Sequence, residues 1–404
     1  MDDGDRTNPG PPLETIEAVF AVTDREVADG TLRYYGAPRV PPEPLLSELW
    51  PAFHEAGYEL HLERRRVDES TRDGPITVHD GELSPERVGN GGTTRRGGYV
   101  LVAEPAELGI DGIPWTNVVL FLATVLSTLF VGTQWYYVDP FGDPVGATLE
   151  AWPFAAAILV VLGVHEMGHY VMSRYHRVQA SLPYFLPVPT LIGTMGAVIK
   201  MKGRMPDRKA LFDIGVAGPI AGLVATVAVT IVGLHLEPVT APQSVANDPD
   251  AVEIRLGYPP MLELLAAAFD QPLYRDDPTT SINPVVVGGW VGMFITFLNL
   301  IPVGQLDGGH VLRAMVGSLQ ETVAALVPAV LFSFAAYLYY VGGYAGTSVS
   351  VWAIWGVFAI LLAAAGPANP VDDTELGRGR IALGIVTFVL GALCFIPVPV
   401  EIIE

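Results

Sequence analysis

The chain has 404 residues, half of them hydrophobic and 16% charged, with a formal net charge of −20. Soluble globular chains carry about 25% charged residues, so this composition points to an integral membrane protein with length to spare for a soluble domain. The acidic balance excludes the basic footprint of a nucleic-acid binder, and a single cysteine, Cys394, excludes a disulfide framework.

Only Lys200, Lys202 and Lys209 are lysines. Abundant Asp and Glu with so little Lys suggest a halophilic proteome, in which solvated carboxylates keep surfaces soluble. The opening "MDDGDRTNPG" has neither a basic region nor an apolar one after it, so no signal peptide is expected.

Residues 1–112 read as a small α+β domain. "TIEAVFAVTDREV" and "TLRYYGAPRV" have strand patterning, and Leu45, Leu46, Leu49, Trp50 and Phe53 recur at helical spacing. "ELHLERRRV", "ITVHD" and "GYVLVAE" read as further strands, while "DESTRDGPIT" and "RVGNGGTTRRGG" read as loops.

Apolar blocks follow at 115–137, 152–173, 211–235, 284–304, 323–341, 349–366 and 380–398. Each is near the span length of roughly 20 residues. The expected fold is a polytopic α-helical membrane protein of about six or seven transmembrane helices, with the α+β domain ahead of it. The core would occupy 113–316 and the remaining transmembrane helices 317–404. Arg and Lys collect in "SRYHR", "KMKGRMPDRK", "VLRAM" and "GRGR", which fall on one side if the blocks alternate. That bias predicts a multi-pass protein of the cell membrane, with those loops and the N-terminal domain in the cytoplasm. The acidic loop 236–283 would lie outside, where "PPMLELLAAAF" could form a short amphipathic helix. Pro183, Pro187 and Pro189 rule out a helix in 181–203, and "GTMGAVIKM" reads as a membrane-embedded strand or hairpin. Such backbone is tolerated at membrane depth only when buried in protein or lining a wet cavity.

The second block contains "HEMGH", residues 165–169. On a helix His165 and His169 share a face, so both can offer a nitrogen to one ion. Glu166 can then reach a water on that ion: two zinc ligands and a general base. Three ionisable groups inside an apolar span are costly, at about 2.5–3.5 kcal/mol for a charge at its centre, and such residues are usually functional.

A catalytic zinc takes a third protein ligand. A metzincin-like extension is absent, because Met172 and Tyr175 stand where it needs Gly and His. Asp307, after a span broken by Pro302 and Gly304, is the best candidate, with Asp213, Asp207 and His310 as rivals.

"HEMGH" together with "NLIPVGQLDG", residues 299–308, resembles the paired signature of the site-2 protease family of intramembrane zinc metalloproteases. The likeness covers roughly 115–315. "IGTMGAVIKM" and "RKALFDIGVAGPIAG" resemble the branch that includes chloroplast members with a soluble N-terminal domain. The resemblance implies one Zn²⁺ held by His165, His169 and Asp307, with Glu166 as the general base. It also implies substrate contact at Asn299 and, along the strand-like segment, at Gly193 and Gly196. The substrate would be the transmembrane segment of a single-span protein. The 236–283 loop is too short for the PDZ domain that many relatives carry. An ion- or proton-coupled transporter with buried His, Asp and Glu is the alternative reading.

Overall fold

The computed structural model describes residues 10–64, 98–105, 112–188, 191–202, 205–246, 253–277, 279–366, 368–372 and 374–403. Its chain divides into two compact units, Met1–Leu108 and Gly109–Glu404.

The first unit begins with α1 (Leu13–Val19), which leads into strand β1 (Phe20–Ala28). The strand expected from residue 15 onward is therefore helical over its first turns, where Ile16 and Val19 face the core. Asp29 and Gly30, both at positive φ, turn the chain into β2 (Thr31–Pro38). Helix α2 (Pro42–Glu55) and strands β3 (Tyr58–Arg64) and β4 (Tyr99–Pro105) complete an antiparallel sheet of order β1-β2-β4-β3. Leu45, Leu49 and Phe53 of α2 pack with Leu32, Tyr34, Leu60 and Leu101 of the sheet. "ITVHD" and the two loops read on either side of it, Gly98 apart, lie outside the described residues.

In the second unit, α3 (Trp115–Trp135) and α4 (Pro144–Tyr175) come first, then the short strands β5 (Gln179–Ala180), β6 (Tyr184–Pro187), β7 (Thr194–Val198), β8 (Met201–Lys202) and β9 (Met205–Asp207). β6 and β7 pair as an antiparallel hairpin, and β5 pairs with β8. The hairpin is tied to α3: the Asn117 side-chain amide donates to the Leu182 and Pro183 carbonyls at 2.9 Å, and Trp135 Nε1 donates to Leu191 O at 3.0 Å.

Helix α5 (Arg208–Leu234) follows, capped by Asp207, whose carboxylate accepts from Ala210 N at 2.7 Å. The 236–283 segment holds β10 (Val239–Thr240), α6 (Gln243–Ala246), β11 (Glu253–Leu256), α7 (Pro260–Ala268) and β12 (Thr280–Ser281). α7 is the short helix expected there, and it is not loose: Leu262 is fully buried in one cluster with Val286 and Trp290. Trp290 Nε1 donates to Gly257 O at 2.6 Å.

α8 (Pro284–Asn299), α9 (Asp307–Val316), α10 (Leu319–Tyr340), α11 (Gly346–Ala365), β13 (Pro370–Asp372), α12 (Arg378–Leu393) and β14 (Val400–Ile403) complete the chain. Among the described residues five helices, α3, α4, α5, α10 and α11, are long and apolar enough to cross a membrane. α8 and α12 have 16 residues each, about 24 Å at 1.5 Å per residue, short of the ~30 Å hydrocarbon core. The expected blocks 284–304 and 380–398 are therefore shorter helices followed by non-helical chain. α12 nevertheless links the two ends of α5. β13 before it pairs with β9 at the start of α5, and β14 after it pairs with β11 beyond the end of α5.

α4, α5 and α8 form the centre of this unit, and glycine makes their contacts close. A Cβ on Gly288 would meet Ala157 of α4, and one on Gly289 or Gly292 would meet Thr230 or Thr226 of α5. α8 thus runs parallel to α4 and antiparallel to α5. Seven residues beyond Gly292, the end of α8 reaches the level of 165–169 on α4.

Candidate metal centre

α4 carries His165 and His169 one turn apart, so their rings project from one face. Their Nε2 atoms lie 3.3 Å apart. The second imidazole is fixed by its other nitrogen: His169 Nδ1 donates to Ile214 O on α5 at 2.8 Å. With the proton on Nδ1, Nε2 offers a lone pair. α5 can approach this closely because Gly218 and Gly222 face the rings. A Cβ on Gly218 would overlap the His169 ring, and one on Gly222 would stand 2.7 Å from His165 Nδ1.

The third group arrives from far along the chain. After α8 ends at Asn299, the 300–306 segment turns through Gly304, at φ +52°. Gly308 and Gly309 then lie against the carbonyls of Leu300, Val303 and Gly304, where a side chain would collide. This folds the start of α9 back onto the end of α8 and brings Asp307, its first residue, to the imidazoles. Asp307 Oδ2 lies 3.2 Å from His169 Nε2 and 3.3 Å from His165 Nε2.

Three acceptor atoms facing one point repel each other unless a cation or proton sits between them. A tetrahedral ion with bonds of about 2.0–2.1 Å has ligand–ligand edges of about 3.3–3.4 Å, and the three observed edges are 3.3, 3.2 and 3.3 Å. The donor set therefore fits a small divalent cation with one position left open. Among the described residues this is the one group of His, Cys, Asp and Glu placed to hold a metal.

A cavity of about 170 Å³ opens beside these atoms, room for several waters. Glu166, 7% exposed, borders it with Asn299, Gln305 and His310. The Asn299 side-chain amide lies 3.2 Å from His165 Nε2, at the edge of the donor triangle. Gly193 and Gly196 are not in the cavity wall. Gly193, at φ +81°, packs on the backbone of Ser127 and Thr128, and Gly196, at φ +110°, has open space where its Cβ would be. It is the next stretch, Ala197, Val198, Ile199 and Met201, that lines the cavity. Successive strand residues point to opposite faces, so three in a row at one wall mean that β7 presents its edge or end, not a face. Sequence patterning alone had no means of separating these neighbours.

The rival ligands have other partners. Asp213 forms a bidentate pair with Arg380 of α12, at 2.7 and 2.8 Å, and accepts from His176 at 3.0 Å. It is not a helix-start residue; that role falls to Asp207. His310 is a buried helical residue of α9, not a loop residue, and it is not among the three donors.

These features define a helical protein, with helices long and apolar enough to cross a membrane, built around two histidines and one aspartate placed to hold a metal ion. Residues 153–342 match the model of peptidase family M50, and the chain carries a site-2 protease domain of that family. It is 31% identical over 313 residues to "Probable zinc metalloprotease EGY1, chloroplastic" of Arabidopsis thaliana, covering 71% of this chain and 53% of that protein. Its rice counterpart (Oryza sativa subsp. japonica) is likewise 31% identical, over 71% of this chain and 51% of the relative. "Probable zinc metalloprotease EGY2, chloroplastic" of Arabidopsis is 27% identical over 62% of this chain and 42% of its own length. The chain thus spans about half the length of these relatives. No solved structure matches it.

Proposed function

We propose that the chain is a zinc-dependent endopeptidase of the membrane that cleaves transmembrane segments of single-span proteins. The observation that carries this reading is the meeting of His165, His169 and Asp307 beside Glu166 and a cavity with room for several waters, within helices otherwise made for lipid. Bound by these three side chains, zinc would supply Lewis acidity and make a water acidic enough to ionise near neutral pH.

The chain's own residues have distinct tasks in this reading. Glu166 takes the proton of the attacking water and returns it to the leaving amide nitrogen. Asn299, beside the donor triangle, donates its amide hydrogen to the scissile carbonyl as negative charge grows there. A helical substrate must first be unwound, because its carbonyls are committed to i→i−4 hydrogen bonds. Among the described residues β7 pairs with β6 alone, so its other edge is suited to an extended peptide added as a strand. Gly193 and Gly196 serve this step by shaping the hairpin. The cell membrane, with the cavity opening toward the basic cytoplasmic loops, is the setting that the Arg and Lys distribution supports.

Co-expression with single-span candidate substrates tests the reading. The wild type yields a shortened product and Glu166→Gln does not, while purified wild type holds one zinc that His165→Ala loses. Equal product from wild type and Glu166→Gln would reject it.

A further inference from the structure

One buried polar group in the cavity has no task in this scheme. His310 stands in the first turn of α9, is 4% exposed, and borders the cavity. Its Nε2 is sealed from solvent and has no hydrogen-bond partner among the described residues. It is not an ion donor, since the close-set ligand atoms belong to His165, His169 and Asp307 alone. A packing role explains its position against Gly215 of α5, but an apolar side chain would fill that space without burying a polar nitrogen.

The tautomer follows from burial. A buried N–H with no acceptor is rarer than a buried lone pair with no donor. The proton of the neutral ring therefore belongs on Nδ1, and of the two ring nitrogens only Nε2 is both sealed and unpartnered. The rest of the wall is poor in donors: Ala197, Val198, Ile199, Met201 and Leu306 are apolar, leaving Asn299, Gln305 and His310. An extended peptide entering this space brings carbonyls on both of its edges. β7 can satisfy one edge, and α9 lines another wall.

We infer that His310 is a substrate-binding residue, whose Nδ1–H donates a hydrogen bond to a main-chain carbonyl of the polypeptide in the cavity. The inference rests on the peptidase reading of the same site, and it makes α9 the supplier of both a metal ligand and a substrate contact, one turn apart.

The test uses the full chain in detergent or vesicles. The probe is a fluorescent poly-Leu transmembrane peptide interrupted by a central Gly–Pro pair. His310→Asn places an amide donor near the Nδ1 position, whereas His310→Gln reaches toward the Nε2 position. Binding is measured in a Glu166→Gln background, cleavage in the native background, and zinc content in every variant. His310→Ala and His310→Gln should weaken peptide binding and kcat/KM about five- to tenfold, the worth of one hydrogen bond. His310→Asn should stay within about twofold of the native residue, and zinc content should not change. Unchanged binding by His310→Ala, rescue by Gln instead of Asn, or zinc lost from all three would overturn the inference. So would failure of all three variants to fold, which would make the residue structural. If His310→Ala alone does not fold, the contrast between Asn and Gln decides. His310-dependent binding by a wild type that cleaves nothing would reject the peptidase reading while leaving the contact standing.

Discussion

Gly218→Ala separates helix stability from metal binding, because the two should move independently. Replacing a helical glycine by alanine ordinarily gains about 1 kcal/mol. At Gly218 the new methyl would overlap the His169 ring, with Cδ2 and Cε1 both 2.5 Å from it. Moving the helices apart instead would open the close backbone packing of Gly168 of α4 on Ala217, where the Gly168 Cβ position lies 2.6 Å from the carbonyl oxygen, so turning the ring is the smaller change. The imidazole must therefore turn, breaking its 2.8 Å bond to Ile214 O. That loss is worth about 1 kcal/mol, so the helix gain and the broken bond nearly cancel. The metal site has no such offset: Nε2 leaves the donor triangle, and loss of an orienting partner alone lowers metal affinity about 10–100-fold. A chelator competition in detergent would measure the zinc constant, and a melt of the metal-free protein its stability. Gly379→Ala is the control, since an added Cβ there meets nothing within 4 Å among the described residues; it should leave zinc affinity unchanged. A Gly218→Ala protein with wild-type zinc affinity would refute the argument that the glycine seats the ring.

Three further outcomes are expected. Asp307→Asn keeps the shape of the side chain but removes its charge, so the protein should purify folded with well under half the zinc of the wild type, read by elemental mass spectrometry. Arg380→Ala removes the bidentate partner of Asp213, leaving a mostly buried carboxylate with His176 alone; Arg380 is itself 38% exposed. The metal-free protein should therefore lose about 1–3 kcal/mol of stability while zinc content stays constant. Trp290→Phe preserves an aromatic ring against Phe294 but deletes the 2.6 Å bond to Gly257 O. It should cost about 0.5–1.5 kcal/mol and speed cleavage of the 236–283 segment by added protease.

Much of the centre was legible because its chemistry is local. Two histidines four residues apart on an apolar helix share a face in any environment, and a carboxylate after a Pro- and Gly-broken span has few other reasons to be there. The hairpin was legible for the opposite reason: three prolines in seven residues leave no helix to form. Less visible were properties set by packing partners. The first strand expected in the N-terminal unit begins as a helix, because Ile16 and Val19 have a core to turn toward. Asp213, a rival metal ligand in the sequence, is instead met by Arg380, which α12 brings to it from 167 residues away. Hydropathy alone could not place the ends of α8 and α12, since apolar chain continues past both, into turns whose residues are buried by neighbours and not by helix.

The glycines are where these two kinds of information meet. Gly218 and Gly222 of "GPIAG" are small residues suited to close helix contact, and Gly288, Gly289 and Gly292 of α8 are of the same kind. In the fold they set a depth. The contacts of Gly288 and Gly292 with Ala157 and Val161 lock α8 alongside α4 in parallel register. The end of α8 is thereby held beside the imidazoles, and the 300–306 turn can return Asp307 to them. A bulkier residue at Gly288 or Gly292 would displace α8 from α4 and carry Asn299 and Asp307 with it. The metal centre is thus a consequence of the helix register: the ligand triangle closes to edges of 3.2–3.3 Å because three helices can approach to backbone contact.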